Sequence, residues 1–121
     1  MWPIVYYAPP QEIVVAQKVD AQLKKLVSLL VKEFRPERVY LFGSRARGDF
    51  GSDSDYDLLL IVPKEIAQDQ LVQNRVSDIL WNLDCAADVL FWSPDEFDKR
   101  LHLKASFPST VVREGRLLHG A

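Results

Sequence analysis

The chain has 121 residues, 48% of them hydrophobic, which is typical of one globular domain and excludes a disordered chain. Its 15 basic and 17 acidic side chains give a formal net charge of −2 with no basic stripe, so we expect no stable binding to long nucleic acids. A single cysteine, Cys85, excludes an internal disulfide and fits a reducing compartment.

The N-terminal residues lack the basic stretch and apolar run of a signal peptide, and no apolar segment is long enough to span a bilayer. We therefore expect a cytoplasmic protein of one domain, residues 1–121, in which residues 1–10 form an extended arm. This arm is rich in proline and aromatic residues. Its Trp2, Tyr6 and Tyr7 are suited either to a contact with another chain or to packing on the domain's own surface.

A first helix is predicted over about residues 11–34, where apolar residues recur at steps of three and four. Pro36 ends this helix, because the residue before a proline is pushed out of the helical conformation. Strands are predicted over residues 38–42 and 56–62, the second stopped by Pro63. The second strand is nearly all apolar, as expected for a strand that is covered on both faces.

The rest of the chain continues this alternation, with a helix predicted over residues 70–83 and a strand over residues 87–91. The segment that starts at Ser93 combines an N-cap serine, a proline at the first helical position and a glutamate at the third, which predicts another helix. A last short helix ends at Gly115, before a brief strand over residues 116–119. Alternating helices and strands predict an α/β fold, a small mixed sheet flanked by helices.

The end of the first strand has the features of a phosphate-binding turn. Gly43 allows the backbone to approach a ligand closely, and Ser44 opens a predicted helical turn whose amides and hydroxyl favour a phosphate. Arg45 and Arg47 place positive charges next to this position. We therefore identify these four residues as candidate phosphate-binding residues.

Three acidic residues lie where the predicted strands begin. Asp55 and Asp57 alternate at the start of the second strand, so they point to the same face, with backbones about 7 Å apart. Asp88 enters an otherwise apolar strand, where an acid is costly unless it is paired or binds a metal. Carboxylates are hard oxygen ligands that suit Mg²⁺. The sequence thus predicts a metal site at these three carboxylates.

Each part of this pattern also has a purely structural explanation. Residues 53–55 are ordinary turn residues, Gly43 and Ser44 alone carry no signal, and Asp88 can cap a strand end in water. The agreement of all parts in order and spacing favours the functional interpretation.

Other residues with reactive or aromatic side chains are given structural interpretations. His102 and His119 are expected at the surface and without a role. Cys85 is interpreted as a small core residue, and Trp81 and Trp92 as core or interface residues, not as nucleotide-stacking groups.

The combined pattern resembles the DNA polymerase β-type nucleotidyltransferase superfamily. The matching segments are Gly43–Gly48, Ser52–Leu58 and the separate Asp88. The similarity is greatest to the minimal nucleotidyltransferases, the domains that occur with HEPN-type partner proteins in toxin–antitoxin modules. Tyr56 departs from the family pattern, which usually has an aliphatic residue at that position.

The resemblance implies a magnesium-dependent transfer of a nucleoside monophosphate, with ATP as the expected donor. Asp55 and Asp57 are expected to hold two Mg²⁺ ions, and Asp88 to complete the site and serve the attacking hydroxyl. Gly43 and Ser44, together with the neighbouring Arg45 and Arg47, are expected to bind the nucleotide, with Gly43 and Ser44 holding its β- and γ-phosphates.

The expected acceptor is a hydroxyl on a separate, HEPN-type helical protein, because the short chain leaves no segment for an acceptor domain of its own. A nucleotide-binding or partner-occluding module without turnover is one alternative, and an aminoglycoside-type enzyme that modifies a small molecule is another. The preferred base and the oligomeric state, including a homo-oligomer, are left open.

Overall fold

The computed structural model describes residues 10–48 and 55–120. The predicted arm therefore lies outside the described residues, except for Pro10, which already begins the first helix. The elements in chain order are α1 (Pro10–Phe34), β1 (Arg38–Phe42), α2 (Ser44–Arg47), β2 (Tyr56–Ile61), α3 (Lys64–Ala67), α4 (Val72–Leu83), β3 (Ala87–Trp92), α5 (Pro94–Asp98), α6 (Phe107–Glu114) and β4 (Arg116–His119).

The four strands form one mixed sheet in the order β3-β2-β1-β4. β1 pairs antiparallel with β2 and with β4, whereas β3 lies parallel to β2. The parallel pair follows from its connection, because α3 and α4 carry the chain back to the end of the sheet at which β2 began. The predicted α/β fold with a mixed sheet is confirmed.

Helices cover both faces of the sheet, which explains the continuous apolar sequence of β2. Leu58 and Leu60 face α1 and α4 in one core, and Leu59 and Ile61 face α5 and α6 in the other. All four side chains are fully buried. Full burial of such a side chain contributes roughly 2 kcal/mol relative to exposure, so β2 is the strand on which the two cores depend.

The predicted helix after β2 is the element whose start differs by more than one residue. The short helix α3 was not predicted, and α4 begins at Val72 instead of near residue 70. The backbone amide of Leu71 donates to the Asp69 side chain at 2.9 Å. Asp69 thereby forms a local turn that separates the two helices, since aspartate competes for backbone hydrogen bonds in this way.

Serine residues begin both helices after β3. The Ser93 hydroxyl accepts a hydrogen bond from the Glu96 amide at 3.3 Å, which confirms the predicted N-cap. Ser106 caps α6 in the same way, through the Ser109 amide at 3.2 Å. Of the described helices, none has the length and apolar character needed to cross a membrane.

The residues given structural interpretations have the following surroundings. His102 and His119 are exposed, as predicted. Trp92 is half-buried and its ring packs against Phe107, whereas Trp81 is 85% exposed and does not belong to the core. Burial raises the pKa of the half-buried Cys85 thiol, which agrees with its interpretation as an unreactive residue.

Candidate active site

The turn after β1 brings its backbone against a carboxylate of the neighbouring strand. Phe42 pairs with Asp57 of β2, and Gly43 follows with φ of 75° and ψ of −158°. Residues with a side chain rarely adopt positive φ. A Cβ atom at Gly43 would also collide with the Asp57 carboxylate. Glycine is therefore needed both for the backbone conformation and for the space that Asp57 fills.

Helix α2 is the single helical turn that the sequence predicted after Gly43. The amides of Ala46 and Arg47 both donate to the Gly43 carbonyl oxygen at 3.2 Å, and Gly48 closes the turn with φ of 83°. Ala46 is buried and anchors the turn on the core. Gly43 and Ser44, the predicted phosphate-binding residues, therefore begin a fixed turn next to the acidic residues.

The two arginines of α2 have different surroundings. The Arg45 guanidinium lies over the ring of Tyr56, 4.4 Å from the ring centroid, and Tyr56 is buried in the core formed with α1 and α4. Successive residues of a strand point to opposite faces, so Tyr56 and Asp57 point away from each other. Arg47 is exposed, and its charge acts on Asp57. The charge of Arg47 thus acts on the predicted metal ligand Asp57, and Arg45 packs on the core through Tyr56.

The three predicted metal ligands lie at the same end of two parallel strands. Asp57 and Asp88 are register partners in β2 and β3, so their Cα atoms are about 5 Å apart. Asp55 precedes β2 by one residue, and Asp55 and Asp88 are exposed while Asp57 is half-buried. Burial raises the pKa of the Asp57 carboxyl, and the charges of Asp88 and Asp55 raise it further against the opposing charge of Arg47.

Mutual repulsion among these carboxylates indicates a place where a cation lowers the energy. Among the side chains that the structure describes, no three of Asp, Glu, His or Cys converge closely enough to hold an ion. The exposed Asp55 and Asp88 side chains would have to turn toward Asp57 to hold an ion together with it. The donor set itself, three carboxylates without nitrogen or sulfur ligands, fits Mg²⁺.

A cleft of about 430 Å³ lies beside the acidic residues, and Asp57 and Asp88 contribute to its wall. Helix α4 contributes Gln73 and Ser77, and the Gln73 side-chain amide donates to the carbonyl oxygen of Val89 at 2.9 Å. Sequence reasoning gave these two α4 residues no role. Their spacing of four residues indicates a common helix face, but only the position of α4 against the sheet places that face beside the acids.

The model of the family described as polymerase beta nucleotidyltransferase matches residues 24–119. The chain belongs to this family. The matched region extends from α1 to β4 and contains the Gly43 turn and all three acidic residues. The resemblance to minimal nucleotidyltransferases is confirmed, and the protein is a nucleotidyltransferase.

A relative in Methanocaldococcus jannaschii, named "Putative protein adenylyltransferase", is 28% identical over 102 residues, which is 83% of this chain and 97% of the relative. A crystal structure of a nucleotidyltransferase described as putative, from Sulfolobus solfataricus, has a TM-score of 0.60 at 22% identity and covers 96% of this chain and 93% of its own. A structure described as a toxin–antitoxin with AMP-PNP has a TM-score of 0.54 at 23% identity, covering 79% of this chain and 72% of its own. The two structures show that the fold is shared.

Proposed function

We propose that this nucleotidyltransferase uses Mg²⁺ and ATP to transfer AMP to a hydroxyl group of a partner protein. The observation that carries the proposal is the contact between the Gly43 backbone and the Asp57 carboxylate, with Asp88 as the register partner of Asp57. The predicted phosphate-binding turn thereby lies next to the strand ends that carry Asp57 and Asp88. This arrangement suits phosphoryl chemistry, in which positioning and charge stabilisation lower the barrier.

In the proposed reaction the acceptor hydroxyl oxygen attacks the α-phosphorus of ATP. The new oxygen–phosphorus bond replaces the bond between the α-phosphorus and the bridging oxygen, so pyrophosphate leaves with that electron pair. Asp88, which is exposed at the start of the outer strand β3, accepts the hydroxyl proton and passes it to solvent. Gly43 and Ser44 bind the β- and γ-phosphates through the α2 turn, and the nearby Arg47 adds a positive charge.

Asp55 and Asp57 are the residues that would hold Mg²⁺, with Asp88 completing the site. When bound there, Mg²⁺ supplies positive charge against the triphosphate and the developing charge on the leaving oxygen, a task for which related chemistry uses two ions. Burial raises the pKa of Asp57, and the charges of Asp88 and Asp55 raise it further; this mutual repulsion supports the assignment, because a bound cation removes it.

The proposed acceptor is a HEPN-type helical protein, which would make this chain the antitoxin of a pair. Two observations on other proteins support a protein acceptor and an adenine nucleotide. The archaeal relative is named a protein adenylyltransferase, and one structure with the same fold is a toxin–antitoxin that contains an ATP analogue. The resemblance of Gly43–Gly48 and Ser52–Leu58 to the minimal nucleotidyltransferases supports the same pairing.

The test is to incubate the protein with Mg²⁺, ATP and the purified product of the neighbouring gene. ATP labelled in the α-phosphate should label a tyrosine, serine or threonine of that protein, located by mass spectrometry, whereas ATP labelled in the γ-phosphate should not. The second label distinguishes AMP transfer from phosphorylation. EDTA in place of Mg²⁺ should abolish labelling.

Matched variants separate the site from a general loss of folding. Asp57→Asn should abolish labelling, while Asp78→Asn, the same change at an exposed position of α4, should leave it unchanged. Label on a small molecule instead would favour the aminoglycoside-type alternative. Mg²⁺-dependent ATP binding without any transfer would favour the binding module and contradict the proposal.

A further inference from the structure

The hydrogen-bond pattern of β3 defines which of its backbone groups face its neighbour. The Tyr56 amide donates to the carbonyl of Ala86 at 3.3 Å, and the Val62 amide donates to the carbonyl of Trp92 at 3.0 Å. In a parallel pair, alternate residues of a strand direct both backbone groups to the same neighbour. The even-numbered residues from 86 to 92 therefore bond to β2.

The odd-numbered residues of β3, Ala87, Val89 and Phe91, consequently direct their amides and carbonyls away from β2. β3 is the outer strand of the sheet, and no strand within residues 10–48 or 55–120 pairs with this edge. Proteins usually protect such an edge with charged residues, especially lysine, with proline or with a bulge. β3 contains no lysine or proline, its register with β2 runs without interruption, and its one charged residue is Asp88 of the candidate site.

A side-chain amide occupies one acceptor of this edge. Gln73 donates its carboxamide hydrogen to the Val89 carbonyl at 2.9 Å, as the amide of a neighbouring strand would. The position therefore already binds a group with the chemistry of a peptide bond. The cleft of about 430 Å³ that runs along this edge also reaches Asp57 and Asp88.

Helix α4 forms one wall of the cleft with side chains four residues apart. Gln73 and Ser77 line it, and Trp81 continues the same helix face one turn further toward the end of the sheet that carries the acidic residues. Trp81 is 85% exposed, and on β3 Leu90 is 40% exposed on the same face as Asp88. Large exposed apolar side chains next to a strand edge that no described strand pairs with favour a peptide ligand.

We propose that the open edge of β3 binds an extended segment of the acceptor protein as an added strand. This inference rests on the proposed function and specifies how its protein acceptor binds. An added strand hydrogen-bonds to Ala87, Val89 and Phe91, and its alternate side chains fall on the face that carries Asp57 and Asp88. A hydroxyl-bearing residue at one of these positions then reaches the acids, and Trp81 contacts the neighbouring part of the segment.

The test uses a ten-residue peptide with one tyrosine, chosen as the best acceptor from a library with randomised flanking residues and α-labelled ATP. Its backbone amides are then methylated one at a time. Methylation at alternate positions should reduce AMP transfer tenfold or more, while methylation at the intervening positions should change it less than twofold. If methylation reduced AMP transfer equally at all positions, or at none, the proposal would be overturned, because only a paired strand shows an alternating effect.

The protein offers two matching readouts. Trp81→Ala should raise the KM for the peptide at least fivefold without changing the dissociation constant for Mg²⁺ and ATP. The control is Leu103→Ala, at another exposed apolar residue, which should change neither this KM nor this dissociation constant. Hydrogen exchange measured by NMR should slow at the amides of Ala87, Val89 and Phe91 when the peptide binds. Unchanged exchange at these amides in a labelled complex would contradict the added strand.

The outcomes separate this inference from the proposed function. Labelling of the folded neighbouring protein but of no peptide, with full activity of Trp81→Ala, would overturn the strand-binding inference and leave the proposed function intact. Failure of the wild-type protein to label any protein or peptide, despite intact ATP binding, would overturn both.

Discussion

Gly43 and Gly48 are a matched pair for testing how the active-site turn is built. Both have positive φ, 75° and 83°, but a Cβ atom would collide with the Asp57 carboxylate at Gly43 and meet nothing within 4 Å at Gly48. Alanine at Gly48 would adopt the left-handed conformation at a cost of about 1 kcal/mol. Gly43 has ψ of −158°, a combination that is almost restricted to glycine, so alanine there costs roughly 2–3 kcal/mol before the collision is counted.

We expect Gly43→Ala to lower the free energy of unfolding by roughly 3–4 kcal/mol and Gly48→Ala by about 1 kcal/mol. For a chain of this length, 1 kcal/mol corresponds to a Tm change of roughly 4 °C. The expected Tm decrease is therefore more than 10 °C for the first variant and roughly 4 °C for the second, measured by calorimetry in metal-free buffer. Titration with ATP and Mg²⁺, below both transitions, should show weakened binding for Gly43→Ala only.

The collision itself can be isolated with Asp57→Ala. If the carboxylate is the obstacle, Gly43→Ala should cost roughly 1 kcal/mol less in the Asp57→Ala background than in the wild type, a coupling that residues in contact commonly show. Equal Tm values for Gly43→Ala and Gly48→Ala, together with additive effects in the double variant, would refute the reasoning.

Three further predictions concern Asp57, the two arginines of α2 and the cap of α5. In EDTA, Asp57→Asn should raise the Tm, and the increase should be larger at pH 7 than at pH 4. The raised pKa of Asp57 means that folding disfavours the charged carboxylate, so the wild-type protein loses stability as pH rises from the unfolded-state pKa through the folded-state pKa. Arg45→Ala should lower the free energy of unfolding, measured in urea, by about 1 kcal/mol, because the contact with Tyr56 is lost. Arg47→Ala should weaken ATP binding, measured by calorimetry, with little change in the free energy of unfolding. Ser93→Ala should cost about 1 kcal/mol in the same unfolding assay without affecting ATP binding, because it removes only a helix cap.

Most strand and helix ends were predictable because particular residues enforce them locally. Pro63 stops the strand before it, Ser93 begins α5, and Gly115 follows the last residue of α6. Helix α3 was missed because four residues are too few for a periodic pattern of apolar residues. The later start of α4 depends on a single hydrogen bond of the Asp69 side chain, which composition does not reveal.

The candidate site was predictable only in part. Gly43, Asp57 and Asp88 were identified because their residue types and positions relative to the strands are unusual, and the structure brings them together. The different surroundings of Arg45 and Arg47 were not predictable, since both are arginines in the same turn and the rotation of one short helix decides what each contacts. The Arg45 guanidinium gives the Tyr56 ring a stacking partner within this turn.

The edge of β3 could not be predicted at all, since strand order is a property of the whole sheet. The apolar sequence of β3 is compatible with a central strand, and nothing in the local pattern identifies the side that lacks a neighbour. Likewise, Gln73 is an ordinary exposed helix residue until α4 is placed beside Val89.

The register between β2 and β3 has a consequence for how such a site can change over time. The distance between the Asp57 and Asp88 backbones is determined by main-chain hydrogen bonds and is independent of which apolar side chains fill the cores. Substitutions in α1 and α4 can therefore accumulate without moving the acids, provided that they keep the two strands in register. A slip of one residue, by contrast, would turn one acid to the opposite face, so an insertion or deletion within β2 or β3 endangers the proposed reaction more than many substitutions do.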